Sequence, residues 1–201
     1  MKINETTLHF LENDCVQQFG NEKGTAIFKW TETTYQELLD KADDHNSTAI
    51  RNHLQSKMFP SMAYYKALRA EGISKEKALE YVRKETQKAA NVQKEEMNKL
   101  GNMPFAYTFF RAGVKKHMKK NFPDKGWKTE WVKCDGKEIH FNLHSCIYWE
   151  LTNMYECPEL CCVYCENDDI TFQGLLPKIR FERAGTLGGG SPYCDFHFIK
   201  T

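Results

Sequence analysis

Residues 127–144 read WKTEWVKCDGKEIHFNLH, and this stretch decides the fold class. Apolar and polar residues alternate on both sides of Asp135-Gly136, which is the pattern of two β-strands joined by a tight turn. Two further strands are predicted over 179–187 and 193–199, joined through the GGGSP segment that precedes Tyr193. The C-terminal part of the chain is therefore predicted to hold an antiparallel sheet of about four strands.

The chain before about residue 120 has a different composition, since it is charged and rich in helix-forming residues. One helix is predicted to begin behind Ser74 as its N-cap, and another to span about 105–120. Four or five helices fit between the helix-breaking segments. Those segments are Phe59-Pro60, Glu71-Gly72 and residues 101–104.

The helix-forming first part and the alternating second part together indicate an α+β fold, with an N-terminal helical layer packed on the antiparallel sheet. We predict one domain over residues 1–201, mainly helical over 1–122 and sheet-containing over 123–201. The segment from Ser145 to Pro177, between the two strand pairs, is predicted to be helical in parts.

Charge and hydropathy narrow the possible partners. The chain has 201 residues and a formal net charge of +1, so no overall field favours nucleic acid or an anionic membrane surface. No basic segment leads into an apolar run at the start, and no window approaches the ~20 apolar residues that span a bilayer. We expect a cytoplasmic protein that binds a small molecule, without nucleic-acid or membrane partners. The oligomeric state is not readable from the sequence, and a homodimer is one state it allows.

Seven of the eight cysteines lie between residues 134 and 194, and residues 157–165 read CPELCCVYC. Such crowding is compatible with a disulfide, a metal site, a nucleophile with companions, or a buried turn in which Cys is a small apolar residue. A cytoplasmic setting disfavours disulfides. Cys162 and Cys165 have zinc-type spacing, but no second pair matches them. We therefore predict no metal ligands and no cofactor, and interpret Cys157, Cys161 and Cys162 mainly as packing residues.

Cys165 differs from the other cysteines because Asp168 follows it by about one helical turn. This spacing puts a thiol and a carboxylate on one helix face, a combination suited to thiolate attack on an electron-poor carbon. Near the end of the chain, alternation puts Cys194 on one strand face and Asp195 on the other. Arg180 and Arg183 are likewise expected on opposite faces of their strand, where one of them could hold a carboxylate.

A set of short motifs resembles the L-2-amino-thiazoline-4-carboxylic acid hydrolase family over about residues 127–198. Cys146, after the first hairpin, also falls where that family tends to place a cysteine. The helical half is similar to the family only in length and character. The motifs are PELCCVYCEND at 158–168, GLLP at 174–177, RFERAGTL at 180–187, Gly190, and CDFHF at 194–198.

The resemblance implies a cytoplasmic bacterial hydrolase that opens a cyclic amidine-like ring. In the family's named reaction, water adds at the ring carbon between nitrogen and sulfur, leaving N-carbamoyl-L-cysteine. On this basis Cys165 is the expected nucleophile, or a thiol that polarises the attacking water, and Asp168 is the expected amidinium anchor and proton acceptor. The candidate catalytic residues are Cys165, Asp168 and Cys194, and the candidate substrate-binding residues are Cys146, Asp195, Arg180 and Arg183.

Two other classes of function remain open at this point. The C-terminal strands, glycine turn and Cys-Asp strand are also similar to small-molecule-binding domains of the vinyl-reductase type, which need not be catalytic. The second class is a protein that uses the cysteines themselves for metal or redox chemistry. Turnover would separate an enzyme from a sensor, since one scaffold commonly hosts several chemistries.

Overall fold

The alternating sequence of the C-terminal part forms one antiparallel sheet with the strand order β1-β2-β4-β3. The structure, a computed structural model, describes residues 1–201. The α+β class and the four-stranded sheet predicted from the sequence are confirmed. The strands are β1 Trp127–Cys134, β2 Glu138–Cys146, β3 Ile179–Glu182 and β4 Cys194–Lys200.

Six α-helices precede the sheet, where four or five were predicted, and two more connect β2 to β3. The difference arises because the region before Phe59 divides into three helices at Gly20 and around residues 41–47. None of the helices is both long and apolar enough to cross a membrane. The helices are α1 Leu11–Phe19, α2 Asn21–Asp40, α3 Thr48–His53, α4 Phe59–Ala70, α5 Lys75–Asn102, α6 Ala106–Asn121, α7 Ile147–Met154 and α8 Leu160–Phe172.

Contacts within the chain define two compact units, Met1–Ala89 and Ala90–Thr201, and α5 contributes residues to both. They are called the N-terminal unit and the C-terminal unit below. The predicted start of α5 is confirmed, since the Ser74 hydroxyl accepts a hydrogen bond from the Lys77 amide at 3.2 Å. The description of the chain as a single domain stays a prediction.

In the N-terminal unit, α3 leads into α4 through one π-helical turn, Leu54–Met58. A π turn leaves backbone carbonyls without their usual helical partners. The Tyr35 hydroxyl donates to the carbonyl of Gln55 at 2.9 Å, and the Thr7 hydroxyl donates to the carbonyl of Ser56 at 2.7 Å. Side chains from neighbouring segments thus satisfy the turn, as buried backbone groups require.

The β1-β2 hairpin closes where Asp135-Gly136 was predicted to turn. One Asp135 carboxylate oxygen accepts hydrogen bonds from the amides of Lys137 at 2.7 Å and Glu138 at 3.1 Å. An Asp side chain that bonds the backbone two residues ahead stabilises a turn locally. The turn therefore follows from residues adjacent in the sequence.

One face of the sheet carries the core of the C-terminal unit. Phe141 of β2 stacks on Phe196 of β4 with ring centroids 5.1 Å apart. Phe172 of α8 meets Phe198 edge to face at 4.9 Å. The contacts lie in the range preferred by aromatic pairs, and they hold α8 against the inner face of the sheet.

Strand β3 is shorter than predicted. It ends at Glu182, whereas the prediction continued the strand to Leu187. The carboxylate of Asp195 accepts a hydrogen bond from the Ala184 amide at 3.0 Å, and the Asp195 amide donates to the carbonyl of Gly185 at 3.0 Å. The chain leaves the ladder after Glu182, where the Ala184 amide and the Gly185 carbonyl both bond to Asp195, and Arg183 stays on the side of the strand opposite to Arg180.

Candidate active site

Helix α8 presents Cys161, Cys165 and Asp168 at steps of four and three residues. Residues at these steps lie on one face of a helix, so the shared face predicted for Cys165 and Asp168 is present. Cys161 is buried at 2% exposure, whereas Cys165 is partly open. All residues of the site described below belong to the C-terminal unit.

The first residue of β4, Cys194, approaches the same face of α8. Cys194 lies on the inner face of the sheet with Phe196 and Phe198, as predicted from alternation. The thiols of Cys161 and Cys194 both donate hydrogen bonds to the sulfur of Cys165. We call Cys161, Cys165 and Cys194 the thiol cluster.

The hydrogen bonds within the thiol cluster favour one distribution of charge. The pKa of Cys165 is lowered, chiefly by donors from Cys161 and then Cys194, with smaller help from the Thr186 hydroxyl and the Arg183 guanidinium, and against the effect of burial. The pKa values of Cys161 and Cys194 are raised because each donates its proton to Cys165 and because both are buried. Cys165 is therefore the thiolate of the cluster and the other two are neutral thiols.

The triple glycine forms the turn that covers this part of α8. Thr186 begins a short 3-10 helix, and its side chain accepts a hydrogen bond from the Gly189 amide at 3.0 Å. The thiol of Cys162 donates to the carbonyl of Gly188 at 3.0 Å. A Cβ added to Gly188 would lie 2.8 Å from the sulfur of Cys161, so only glycine allows this approach. The turn thereby brings the Thr186 hydroxyl to Cys165.

Arg183 ties the end of β3 to α8. Its guanidinium donates to the carbonyl of Cys165 at 2.6 Å and lies 3.4 Å from the carboxylate of Asp168 and 2.9 Å from that of Asp169. The Arg183 side chain is only 7% exposed, and it stacks over the rings of Phe181 and Phe196 at 5.3 Å. These bonds occupy the N–H donors of the guanidinium. Arg183 therefore holds α8 in place and does not present a free group for binding a substrate carboxylate.

Asp168 lies next to the thiolate and is partly exposed to solvent. Its side chain retains 42% exposure although protein surrounds the carboxylate closely. Burial raises the pKa of Asp168 to about 7, and the Cys165 charge adds to the rise while Arg183 opposes it. A carboxylate that titrates near neutrality beside a thiolate is typical of functional sites.

Cys146 and two tyrosines lie near this carboxylate. Burial raises the pKa of Cys146 to about 12, with smaller contributions from the charges of Cys165 and Asp168. Burial also raises the pKa of Tyr148, whose ring meets that of Tyr164 edge to face at 5.1 Å. Cys146 and Tyr148 are thus neutral, and with Tyr164 they form the surface next to Asp168.

Two residues predicted to bind substrate lie away from the thiol cluster. Asp195 belongs to the outer sheet face, where its carboxylate is 2.7 Å from the Nε2 of His140. Arg180 is 53% exposed and pairs with Glu182 at 2.7 Å. Both lie on the outer face, because strand alternation puts Cys194 on the inner face and Asp195 and Arg180 on the other. The structure thus leaves Arg180 and Asp195 outside the site. The predicted residues that it brings together are Cys146, Cys165, Asp168, Arg183 and Cys194.

The sequence interpretation missed Cys161, Thr186 and Tyr148 as parts of the site. Cys161 precedes Cys165 by four residues, and this helical spacing could have identified it. The contribution of Thr186 depends on the fold of the glycine turn. No pattern in the sequence signals the burial of Tyr148 beside Asp168.

Replacing Thr186 with valine is expected to raise the pKa of Cys165, so that its alkylation at a pH below that pKa slows by roughly threefold to tenfold, the worth of one hydrogen bond. Thiolate is the reactive form, so losing a donor raises the Cys165 pKa and depletes thiolate as the pH falls. Iodoacetamide labelling, measured on the peptide that carries Cys165, tests this. Thr186→Ser should react like the parent protein, as should Thr108→Val at an exposed position. An unchanged rate in Thr186→Val would exclude the hydroxyl as a donor.

No group of three or more His, Cys, Asp or Glu side chains is arranged to hold a metal ion. All eight cysteines are free thiols. The chemistry that the geometry offers is that of a hydrogen-bonded thiolate beside a titrating carboxylate.

A known protein family matches most of the chain. The family model of L-2-amino-thiazoline-4-carboxylic acid hydrolase matches residues 51–198, which extends the resemblance from the sheet-containing part into the helical part. No curated protein and no solved structure matched the chain. The matched segment covers well over half of the chain and contains every residue of the site described above. The chain belongs to the L-2-amino-thiazoline-4-carboxylic acid hydrolase family.

Proposed function

We propose that this protein is a hydrolase that opens a 2-aminothiazoline-type ring through a covalent bond to Cys165. The observation that carries the proposal is the Cys165 thiolate, held by donors from Cys161, Cys194 and Thr186 next to Asp168. The carbon of an amidinium is electron-poor and suits attack by a thiolate. Family membership supports the same reaction.

In the first step the Cys165 thiolate attacks the ring carbon between nitrogen and sulfur. The tetrahedral adduct collapses by breaking the bond between this carbon and the ring sulfur, which leaves an isothiouronium group on Cys165. The departing sulfur needs a proton. Cys194 supplies it, because its S–H is no longer bonded to a thiolate once Cys165 has formed the covalent bond.

In the second step water attacks the isothiouronium carbon and gives one proton back to Cys194. The new adduct expels Cys165 as a thiolate and releases the second proton through Asp168 to solvent. The product is the N-carbamoyl amino acid, with the water oxygen as its carbonyl oxygen. The donors around Cys165 lower the energy of the thiolate as attacking and as leaving group.

Asp168 and Arg183 have separate tasks in this proposal. The exposed edge of Asp168 receives the amidinium through charge-assisted hydrogen bonds. Arg183 acts as a positioning residue, since its guanidinium bonds the Cys165 carbonyl and the carboxylates of Asp168 and Asp169. Cys146 and Tyr148 form the apolar wall beside the ring.

The test is turnover by the full-length protein of L-2-amino-thiazoline-4-carboxylate and a panel of related cyclic amidines. Mass spectrometry should detect the carbamoyl product, with one heavy oxygen when the reaction runs in heavy-oxygen water. Acid quenching during turnover should trap a mass adduct on the peptide that contains Cys165. Binding of the panel without turnover would instead favour the small-molecule sensor.

The pH dependence of kcat/KM is expected to rise through about pH 7. Below that pH Asp168, whose pKa is raised to about 7, is protonated and cannot hold an amidinium; above it the carboxylate is available. Asp168→Asn should remove this limb and lower kcat/KM by roughly tenfold to a hundredfold, the worth of a charged hydrogen bond. Steady-state kinetics over about two pH units on either side of neutrality measure this pH dependence. Asp169→Asn is the matched control and should keep the limb; a limb that persists in Asp168→Asn would exclude Asp168 as its source.

A further inference from the structure

The thiol cluster has one open member and two closed ones. Cys165 is partly exposed, whereas Cys161 and Cys194 are 2% and 4% exposed. Both closed thiols donate hydrogen bonds to Cys165, so each of them is in contact with the one cysteine of the cluster that is partly exposed. The proposed hydrolysis does not need a second thiol that can form a covalent bond to Cys165.

We propose that Cys165 is a site of reversible oxidation by peroxides, and that Cys194 is its resolving cysteine. A partly exposed thiolate next to a second cysteine is the arrangement of redox-sensitive sites. The proposal concerns a modification of Cys165 and does not require the ring-opening reaction.

The chemistry balances in two steps. The Cys165 thiolate attacks one oxygen of hydrogen peroxide and breaks the O–O bond, giving a sulfenic acid on Cys165 and hydroxide. The sulfur of Cys194, after losing its proton to that hydroxide, attacks the sulfenic sulfur. A Cys165-Cys194 disulfide forms, and the sulfenic hydroxyl leaves and takes up a proton as water. Peroxide is thereby reduced to two waters, and the two thiols are oxidised.

Helix geometry favours Cys194 over Cys161 as the resolving residue. Residues four apart on a helix have Cβ atoms about 5–6 Å apart, whereas a disulfide needs about 3.5–4.5 Å. Cys161 and Cys165 both lie inside α8, so a bond between them would require unwinding the helix. Cys194 belongs to a different element, as the first residue of β4, so a bond to it does not require unwinding α8.

The chain itself makes the two disulfides distinguishable. No Lys or Arg lies between Glu138 and Pro177, so trypsin leaves Cys161 and Cys165 in one peptide that ends at Lys178. Cys194 falls in a different peptide, residues 184–200. A Cys165-Cys194 bond therefore joins two tryptic peptides, and a Cys161-Cys165 bond joins none.

The experiment treats the full-length protein with hydrogen peroxide, blocks the remaining thiols, and maps the tryptic peptides by tandem mass spectrometry. We expect the loss of two hydrogens per chain, a cross-link between Cys165 and Cys194, and loss of Cys165 labelling that dithiothreitol restores. Cys194→Ser should instead accumulate a dimedone-reactive sulfenic acid on Cys165. Cys161→Ser and Cys162→Ser should still form the cross-link.

The proposal is overturned if Cys165 becomes linked to Cys161 or Cys146, or if it passes to sulfonic acid without any disulfide. Peptide mapping of the parent protein shows which cysteine is linked to Cys165, even if Cys194→Ser does not fold. Because the readout is mass and not turnover, its failure is distinct from a failure of the hydrolase proposal. A mapped disulfide in a protein whose hydrolysis is undiminished would instead contradict Cys165 as the nucleophile.

Discussion

Cys165→Ser is expected to lower kcat by roughly 10⁴-fold, the scale of losing the nucleophile of a covalent hydrolase. The serine hydroxyl fits the same space, but the surrounding donors cannot make it an alkoxide near neutral pH. Initial rates of carbamoyl product formation measure the loss. The acid-quenched adduct on the Cys165 peptide should disappear with it.

Cys162→Ser is the matched control for this change. Cys162 belongs to the same helix, and its thiol donates to the carbonyl of Gly188, a bond that a serine hydroxyl can also make. We expect turnover close to that of the parent protein. If Cys165→Ser kept its activity, the attacking group would be a water, and the covalent steps proposed above would be wrong.

Arg183→Met is expected to lower the free energy of unfolding by about 2–4 kcal/mol, because it removes the partner of buried and half-buried polar groups. The carbonyl of Cys165 loses its donor, and the carboxylates of Asp168 and Asp169 lose their cation. The pKa of Cys165 should rise, since Arg183 contributes to lowering it. Denaturant unfolding and the pH profile of Cys165 alkylation measure the two effects.

Arg180→Met is the control for the loss of a strand arginine. Arg180 is half exposed and pairs with Glu182 on the outer face, so we expect a change within about 0.5 kcal/mol, typical of surface positions. Arg183→Lys should recover only part of the stability, because an ammonium cannot reproduce the fork. Equal effects at positions 180 and 183 would contradict the anchoring of α8 by Arg183.

Local patterns predicted much of the fold. The hairpin of β1 and β2, the N-cap at Ser74 and the helix from about residue 105 are all confirmed. Each depends on residues within one or two turns of each other, where side-chain periodicity and capping act directly. The end of β3 was placed wrongly because it depends on Asp195, a residue from another strand.

The site was predictable to a smaller extent. The pairing of Cys165 with Asp168 follows from helical spacing, and the inner position of Cys194 follows from strand alternation. Arg183 was expected to alternate with Arg180 along one strand. The structure agrees, since Arg180 lies on the outer face and Arg183 reaches α8 from the inner side, but alternation does not show that the Cys165 carbonyl, Asp168 and Asp169 bind its guanidinium there.

The sequence by itself determined the α+β class, the antiparallel hairpins, the family and the helix face that joins a thiol to a carboxylate, because these depend on periodicity and short-range spacing. Only the tertiary structure decided which thiol carries the charge. Cys165 becomes the thiolate because Cys161, one turn earlier on α8, donates to it and because three distant residues join it: Cys194 from β4, Thr186 from the glycine turn and Arg183 from the end of β3. Hydrogen bonds and charges act over a few ångströms in space, and no spacing along the chain shows which distant residues the fold brings within that range.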